Sequence, residues 1–73
     1  MNIVLYEKKE DGGLVKITEK PWDDKFMVAV EAANYLLVNG KEFEMIEGRL
    51  NLDLDVFELL LLDVNRKFSI EKE

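Results

Sequence analysis

An Asn-Gly pair separates two apolar runs in the stretch Tyr35-Leu36-Leu37-Val38-Asn39-Gly40-Lys41-Glu42-Phe43-Glu44-Met45-Ile46. This arrangement is the strongest short-range signal for a β-hairpin, because a type I′ turn needs positive φ at both central residues. Asn tolerates positive φ and Gly adopts it freely. After the turn, apolar residues alternate with glutamates, as on a strand with one face in water. The stretch therefore predicts strands over 35–38 and 41–46.

Two β-rich runs precede this hairpin, at residues 2–6 and 14–19. A charged segment that ends in Asp11-Gly12-Gly13 separates them, as in a solvated loop between antiparallel strands. After the Asn39-Gly40 turn, Glu47-Gly48-Arg49 indicates another turn. Leucines and Val56 then alternate with polar residues, which predicts a half-buried strand over 50–55.

Two segments fit more than one structure. Residues 26–38 could be strands, or a helix with an aspartate at its N-cap and helix-favouring alanines. Because the Asn-Gly hairpin needs residues 35–38 extended, we favour strands. In the second segment, Asp55 and Glu58 have the spacing of a capping box, and the apolar residues that follow lie on one helical face. This predicts a C-terminal helix over 56–67, with a β-bulge and a further strand as the alternative.

The expected fold is α+β and mostly β, a single domain over residues 1–73. It consists of antiparallel hairpins (2–6 with 14–19, 35–38 with 41–46), a strand at 50–55 and the C-terminal helix. The alternatives are an all-β small barrel and a ββαββα arrangement with residues 24–38 helical.

The composition limits the chemistry that the chain can perform. Its 73 residues carry a net charge of −6 and include neither Cys nor His. This excludes disulfides, thiolate metal sites and the commonest general base. The carboxylates of Asp53, Asp55, Glu58 and Asp63 lack the spacing of a calcium loop, so we expect a solvated face and no metal or cofactor. Without a catalytic motif or an activated nucleophile, an enzyme is not expected.

Charge and hydropathy also bear on partners. An acidic chain repels phosphate backbones and anionic lipids, so we expect no direct contact with nucleic acid or membrane. The longest apolar run is far below the ~20 residues of a membrane span, and the N-terminus lacks a signal-peptide pattern. A cytoplasmic location is therefore expected.

The predicted function is a small acidic, non-enzymatic protein-binding or accessory module that acts alone or as a homodimer. Trp22 is a candidate anchor for a partner, since exposed Trp is enriched at interface hot spots. Leu59 and Leu62 are candidates for a homodimer surface, because the leucine run exceeds what a small core hides.

The alternative function is an acidic inhibitor that mimics phosphates and blocks a nucleic-acid-binding protein. Its candidate residues are Glu42, Glu44, Asp53 and Asp55. These carboxylates would cluster if their two strands paired through the predicted turn at 47–49.

Overall fold

The computed structural model describes residues 1–65, which form five strands and one helix, followed by helical residues at 64–65. In chain order these are β1 (Asn2–Lys8), β2 (Leu14–Pro21), α1 (Asp24–Ala32), β3 (Tyr35–Val38), β4 (Lys41–Asn51) and β5 (Val56–Asp63). The strands form one curled sheet in the order β2-β1-β5-β4-β3. β1 and β5 are parallel, and the other neighbouring pairs are antiparallel. The prediction of an α+β fold that is mostly β is confirmed.

Two of the three connections between consecutive antiparallel strands follow the predicted local sequence signals. In the β1–β2 loop, Gly12 has a φ of 87°, and the Gly13 N–H donates to the Asp11 carboxylate at 2.8 Å. Between β3 and β4, Asn39 and Gly40 have φ values of 53° and 78°, as a type I′ turn requires. The strands extend beyond the predicted ranges, to Lys8 and Pro21 in the first pair and to Asn51 in β4.

The predicted turn at 47–49 and the predicted strand over 50–55 are both wrong. Residues 47–49 lie inside β4, and the chain reverses at 52–55 instead. Asp55 adopts a φ of 56° there, and the Asn51 side chain accepts a hydrogen bond from the Leu54 N–H at 3.1 Å. Leu52 and Leu54, which the alternation placed in a core, are therefore exposed on a turn.

The predicted helix over 56–67 is wrong over residues 56–63, which form β5, whereas residues 64–65 are helical. β5 is the central strand, paired with β1 on one side and β4 on the other. A strand covered on both faces carries a continuous apolar run, and Leu59, Leu60 and Leu61 are all buried. Residues 66–67 of the predicted helix lie outside the described residues.

Residues 24–38 match neither the strand interpretation nor the fully helical alternative. α1 occupies Asp24–Ala32, and β3 begins at Tyr35. The Asp23 carboxylate caps the helix, accepting hydrogen bonds from the N–H groups of Lys25 at 3.0 Å and Phe26 at 3.3 Å. Residues 33 and 34 separate the end of α1 from β3, so the helix and the strand that the Asn39-Gly40 turn requires both fit in this segment.

One face of the sheet, here called the helix face, packs against α1. Its buried cluster combines one helix residue with residues of three strands: Val30, Ile3, Leu5, Phe43, Leu59 and Leu61. Because side chains alternate along a strand, Val4, Glu58, Leu60 and Arg49 lie on the other side, here called the open face.

Candidate functional site

A cleft of about 290 Å³ lies between α1 and the helix face. α1, β4 and β5 all contribute to its lining. The lining residues are Met27, Val30, Glu31, Met45, Ile46, Glu47, Gly48, Phe57 and Leu59. Two methionines, three aliphatic residues and one aromatic ring therefore form most of its wall.

The cleft exists because β4 carries a bulge and a glycine at this point. Met45 is paired with Leu61 and Gly48 with Leu59, so both lie on the helix face although they are three residues apart. The register shifts between Met45 and Glu47, which makes Ile46 the extra residue of a β-bulge. Gly48 then brings no side chain to the helix face, so the ring of Phe57 lies against it and forms part of the lining.

The ring of Phe57 packs directly over Gly48. A Cβ atom added to Gly48 would lie 2.8 Å from Cζ of Phe57, closer than packed carbon atoms approach. The floor of the cleft therefore depends on a glycine at this position. A glycine inside a strand commonly marks a bulge or a close approach, and this signal was present in the sequence.

Apolar surface continues from the cleft toward one end of the sheet. Trp22, Ile46 and Leu50, here called the apolar rim, are 44%, 47% and 54% exposed. Trp22 contacts Phe57 edge-to-face at 6.1 Å between ring centroids, and Leu50 is the cross-strand partner of Phe57. The Trp22 indole N–H donates to Asp24 at 2.7 Å, which fixes the ring orientation. Contiguous exposed apolar surface of this kind commonly marks an interaction site.

The two acidic residues of the lining differ in their surroundings. Glu47 is paired across the sheet in register with Leu60, and its carboxylate lies 3.6 Å from the Lys8 ammonium group. Glu31 is an exposed residue near the end of α1. A positively charged group beside a bound apolar group would therefore meet Glu31 at this side of the cleft.

The open face carries a different arrangement, in which charged side chains satisfy each other. Glu58 is buried, accepts a hydrogen bond from the Arg49 guanidinium and accepts another from Asn51 at 3.2 Å. The hydrogen bond from Arg49 lowers the pKa of the Glu58 carboxyl against the opposing effect of burial, and Glu58 in turn raises the pKa of Arg49. This pair explains how a central strand tolerates a glutamate.

A second polar group on the open face joins β1 and β2. The Glu19 carboxylate accepts hydrogen bonds from Asn2 at 2.6 Å and from Lys16 at 2.5 Å. Both contacts lower the pKa of Glu19, and Glu19 raises the pKa of Lys16. Like the buried pair, these groups are engaged with each other.

The carboxylates predicted to mimic phosphates do not form one cluster. Glu42 and Glu44 lie near the start of β4, whereas Asp53 and Asp55 lie in the turn beyond its end. From Glu44 to Asn51 the strand covers roughly 23 Å at 3.3 Å per residue. The expectation that the two pairs would meet fails because the turn at 47–49 does not exist.

The predicted apolar residues also lie apart. Trp22 is in the apolar rim, Leu59 is buried in the core cluster, and Leu62 is half-buried on the open face beside Glu44. A helix would have placed Leu59 and Leu62 on one side, but a strand places residues three apart on opposite faces. These two leucines therefore do not form a common homodimer surface.

The sequence did not predict most residues of the cleft, because they come from three separated segments. Met27, Met45 and Ile46 carry no motif, and only the packing of α1 over the bulge brings them together.

Within residues 1–65, no group of three or more acidic, Cys or His side chains is placed to hold a metal ion.

Over the same residues, no helix has the length and apolar character needed to cross a membrane. Comparisons of the chain with protein-family models, curated proteins and solved structures give no match.

Proposed function

We propose that this chain is a small, non-enzymatic protein-binding module that receives an apolar side chain of a protein partner in its cleft. The observation that carries the proposal is the continuity between the cleft and the apolar rim of Trp22, Ile46 and Leu50. Interfaces concentrate their energy in a few anchors that fill desolvated pockets, surrounded by contacts that exclude water. Met27 and Met45 support this use, since methionine adapts its shape to an incoming group.

Binding is favoured over catalysis by the character of the lining. Its acidic residues are an exposed glutamate, Glu31, and Glu47, which is paired with Lys8. A carboxyl group that acts as a general acid at neutral pH is usually desolvated to raise its pKa. The module is proposed to act in the cytoplasm, in keeping with a cysteine-free sequence, either alone or as a homodimer.

The acidic alternative has less support. A phosphate-mimicking surface presents closely spaced carboxylates to a basic channel. Here, Arg49 lies on the open face between the two acidic pairs, and the pairs themselves are at opposite ends of β4. Loss of binding at high salt would nevertheless distinguish such a surface from an apolar one.

The test uses two variants with matched exposure. Ile46→Lys adds a charge at the mouth of the cleft, and Val15→Lys adds the same charge on β2, where the side chain is 48% exposed. The immobilised full chain and both variants are incubated with lysate and washed at low and high salt, and bound proteins are identified by mass spectrometry. Circular dichroism verifies that both variants fold.

We expect a partner that survives high salt on the parent chain and on Val15→Lys, and is lost on Ile46→Lys. Equal retention by both variants would refute the use of the cleft. A partner that leaves at high salt, is unaffected by Ile46→Lys and is lost on Glu42→Gln would favour the acidic alternative.

A further inference from the structure

The two edge strands of the sheet differ in how they are protected. β2 carries Lys16, Lys20 and Pro21, and a register shift opposite Leu5 and Tyr6 leaves Ile17 as an unpaired bulge residue. Lysine, proline and bulges are the features by which sheet edges avoid pairing with another chain. β3 has none of them, since its sequence is Tyr-Leu-Leu-Val. The β3 edge is therefore the one at which another strand can be added.

Hairpin geometry identifies the backbone groups at this edge. In the turn that joins β3 to β4, the Val38 C=O and the Lys41 N–H form the closing hydrogen bond. Hydrogen-bonded and non-hydrogen-bonded pairs alternate along an antiparallel ladder. Tyr35 and Leu37 are therefore in non-hydrogen-bonded pairs, and their N–H and C=O groups point away from β4. Within residues 1–65, no strand pairs with this side of β3.

The side chains at the edge indicate what would bind there. Tyr35 and Leu37 are 52% and 75% exposed and share the open face with their cross-strand partners Glu44 and Glu42. Lys41, the neighbouring cation on β4, points to the helix face and pairs with Asp63 at 3.5 Å. On the open face, the β3 edge therefore presents the apolar side chains of Tyr35 and Leu37, and the acidic side chains of Glu44 and Glu42 lie next to them on β4.

An added strand would lie about 4.8 Å from β3 and about 9.6 Å from β4. A lysine or arginine on its open side could rest its aliphatic stem on Leu37 and reach the Glu42 carboxylate with its charged end. The ring of Tyr35 offers an arginine a further favourable contact. On the opposite side, apolar residues of the added strand would lie beside Leu36 and Val38, which pack against the core.

We propose that the outer edge of β3 binds an extended segment of a protein partner in which basic residues alternate with apolar residues. The segment becomes a sixth strand, held by the outward backbone groups of Tyr35 and Leu37 and by the carboxylate of Glu42. Main-chain hydrogen bonds supply the binding, and the alternating side chains supply the selectivity. This surface is separate from the cleft, so the proposal can be tested independently of the function proposed above.

The experiment titrates the isotope-labelled full chain with the synthetic peptide acetyl-Arg-Val-Arg-Val-Arg-amide and follows amide signals and amide hydrogen exchange by NMR. The expected result is a change of the signals of residues 35–38. At saturation, exchange of the Tyr35 and Leu37 amides slows at least tenfold. The peptide acetyl-Glu-Val-Glu-Val-Glu-amide should bind at least tenfold more weakly, because it meets Glu42 with like charge.

Two pairs of variants separate backbone recognition from charge. Leu37→Pro removes an outward N–H and should weaken binding at least tenfold, whereas Leu37→Thr keeps the N–H and should bind within about threefold of the parent chain. Glu42→Gln should weaken binding at least threefold. Asp53→Asn removes the same charge in the turn that follows β4 and should leave binding unchanged. If Leu37→Pro does not fold, the comparison of Glu42→Gln with Asp53→Asn and the amide exchange of the parent chain still test the proposal.

Several outcomes would overturn the proposal. They include signal changes confined to other residues, unchanged exchange at Tyr35 and Leu37, equal binding of the acidic peptide, and equal effects of Glu42→Gln and Asp53→Asn. A second copy of this chain is the competing occupant. Protection of Tyr35 and Leu37 without peptide, rising with protein concentration alongside a dimer in sedimentation, would assign the edge to self-association instead.

Discussion

Substituting Gly48 by alanine tests the close packing of β4 against Phe57. The added Cβ would lie 2.8 Å from Cζ of Phe57, and 3.4 and 3.6 Å from its two Cε atoms. Packed carbon atoms are ordinarily about 3.5–4.0 Å apart, so the ring or the strand must move by roughly 1 Å. Overpacking of this kind costs about 1–3 kcal/mol. Gly48 is not among the residues with positive φ, so alanine adds no backbone strain there.

An opposing contribution reduces the expected effect. Alanine is favoured over glycine in a strand by about 0.5–1 kcal/mol, because it loses less conformational freedom on folding. The net expectation for Gly48→Ala is a decrease of about 0–2.5 kcal/mol in the free energy of unfolding, obtained by combining these two contributions.

The assay is urea denaturation followed by circular dichroism, for Gly48→Ala in the parent chain and in a Phe57→Leu background. Leucine lacks the ring atom nearest Gly48, so there the substitution should be neutral or stabilising by up to about 1 kcal/mol. Gly40→Ala serves as a control. The Cβ it adds meets open space but its φ of 78° is costly for alanine, so Phe57→Leu should not rescue it. An equal loss from Gly48→Ala in both backgrounds would refute the reasoning.

Two further predictions concern the buried carboxylate and the helix cap. Because Arg49 lowers the pKa of the Glu58 carboxyl from its ordinary 4.5, the unfolded chain takes up the proton first. The stabilisation is present above pH 4.5 and is lost as the pH falls through the lower folded-state pKa. Glu58→Gln should remove this part of the pH dependence in urea denaturation between about pH 7 and pH 3, and an unchanged slope would contradict the assignment. Asp23→Ala should lower stability by about 1 kcal/mol, or Tm by about 4–8 °C, because the N–H groups of Lys25 and Phe26 lose their acceptor. Asp23→Asn retains an acceptor, so equal melting temperatures for the two variants would exclude the cap.

Local signals in the sequence were reliable where one short segment decides its own geometry. Asn39-Gly40 adopts the positive φ values that a two-residue turn needs, whatever surrounds it. Asp23 caps a helix, and the sequence showed this possibility. The hairpin requires only the four residues of β3 to be extended, so it does not decide the structure of residues 24–32, which form α1.

The misread segment at 56–63 shows where local patterns fail. A run such as Phe-Glu-Leu-Leu-Leu-Leu fits a helical stripe and a fully buried strand equally well. Only the packing of β5 decides, because Leu59 and Leu61 are buried on one face and Leu60 on the other, and a strand buried on both faces does not alternate. The Glu58 that broke the alternation is accommodated by Arg49 and Asn51 on the neighbouring strand.

By itself, the sequence determined a small acidic, mostly β domain with an Asn39-Gly40 turn, because composition and turn chemistry act within a few residues. Only the tertiary structure decided that the chain reverses at 52–55, and that Gly48 and the Ile46 bulge open a cleft under α1. It also separated the two acidic pairs and left the β3 edge uncovered within residues 1–65. These features depend on which strands become neighbours. Strand pairing is set by contacts between distant segments, and no local pattern records them.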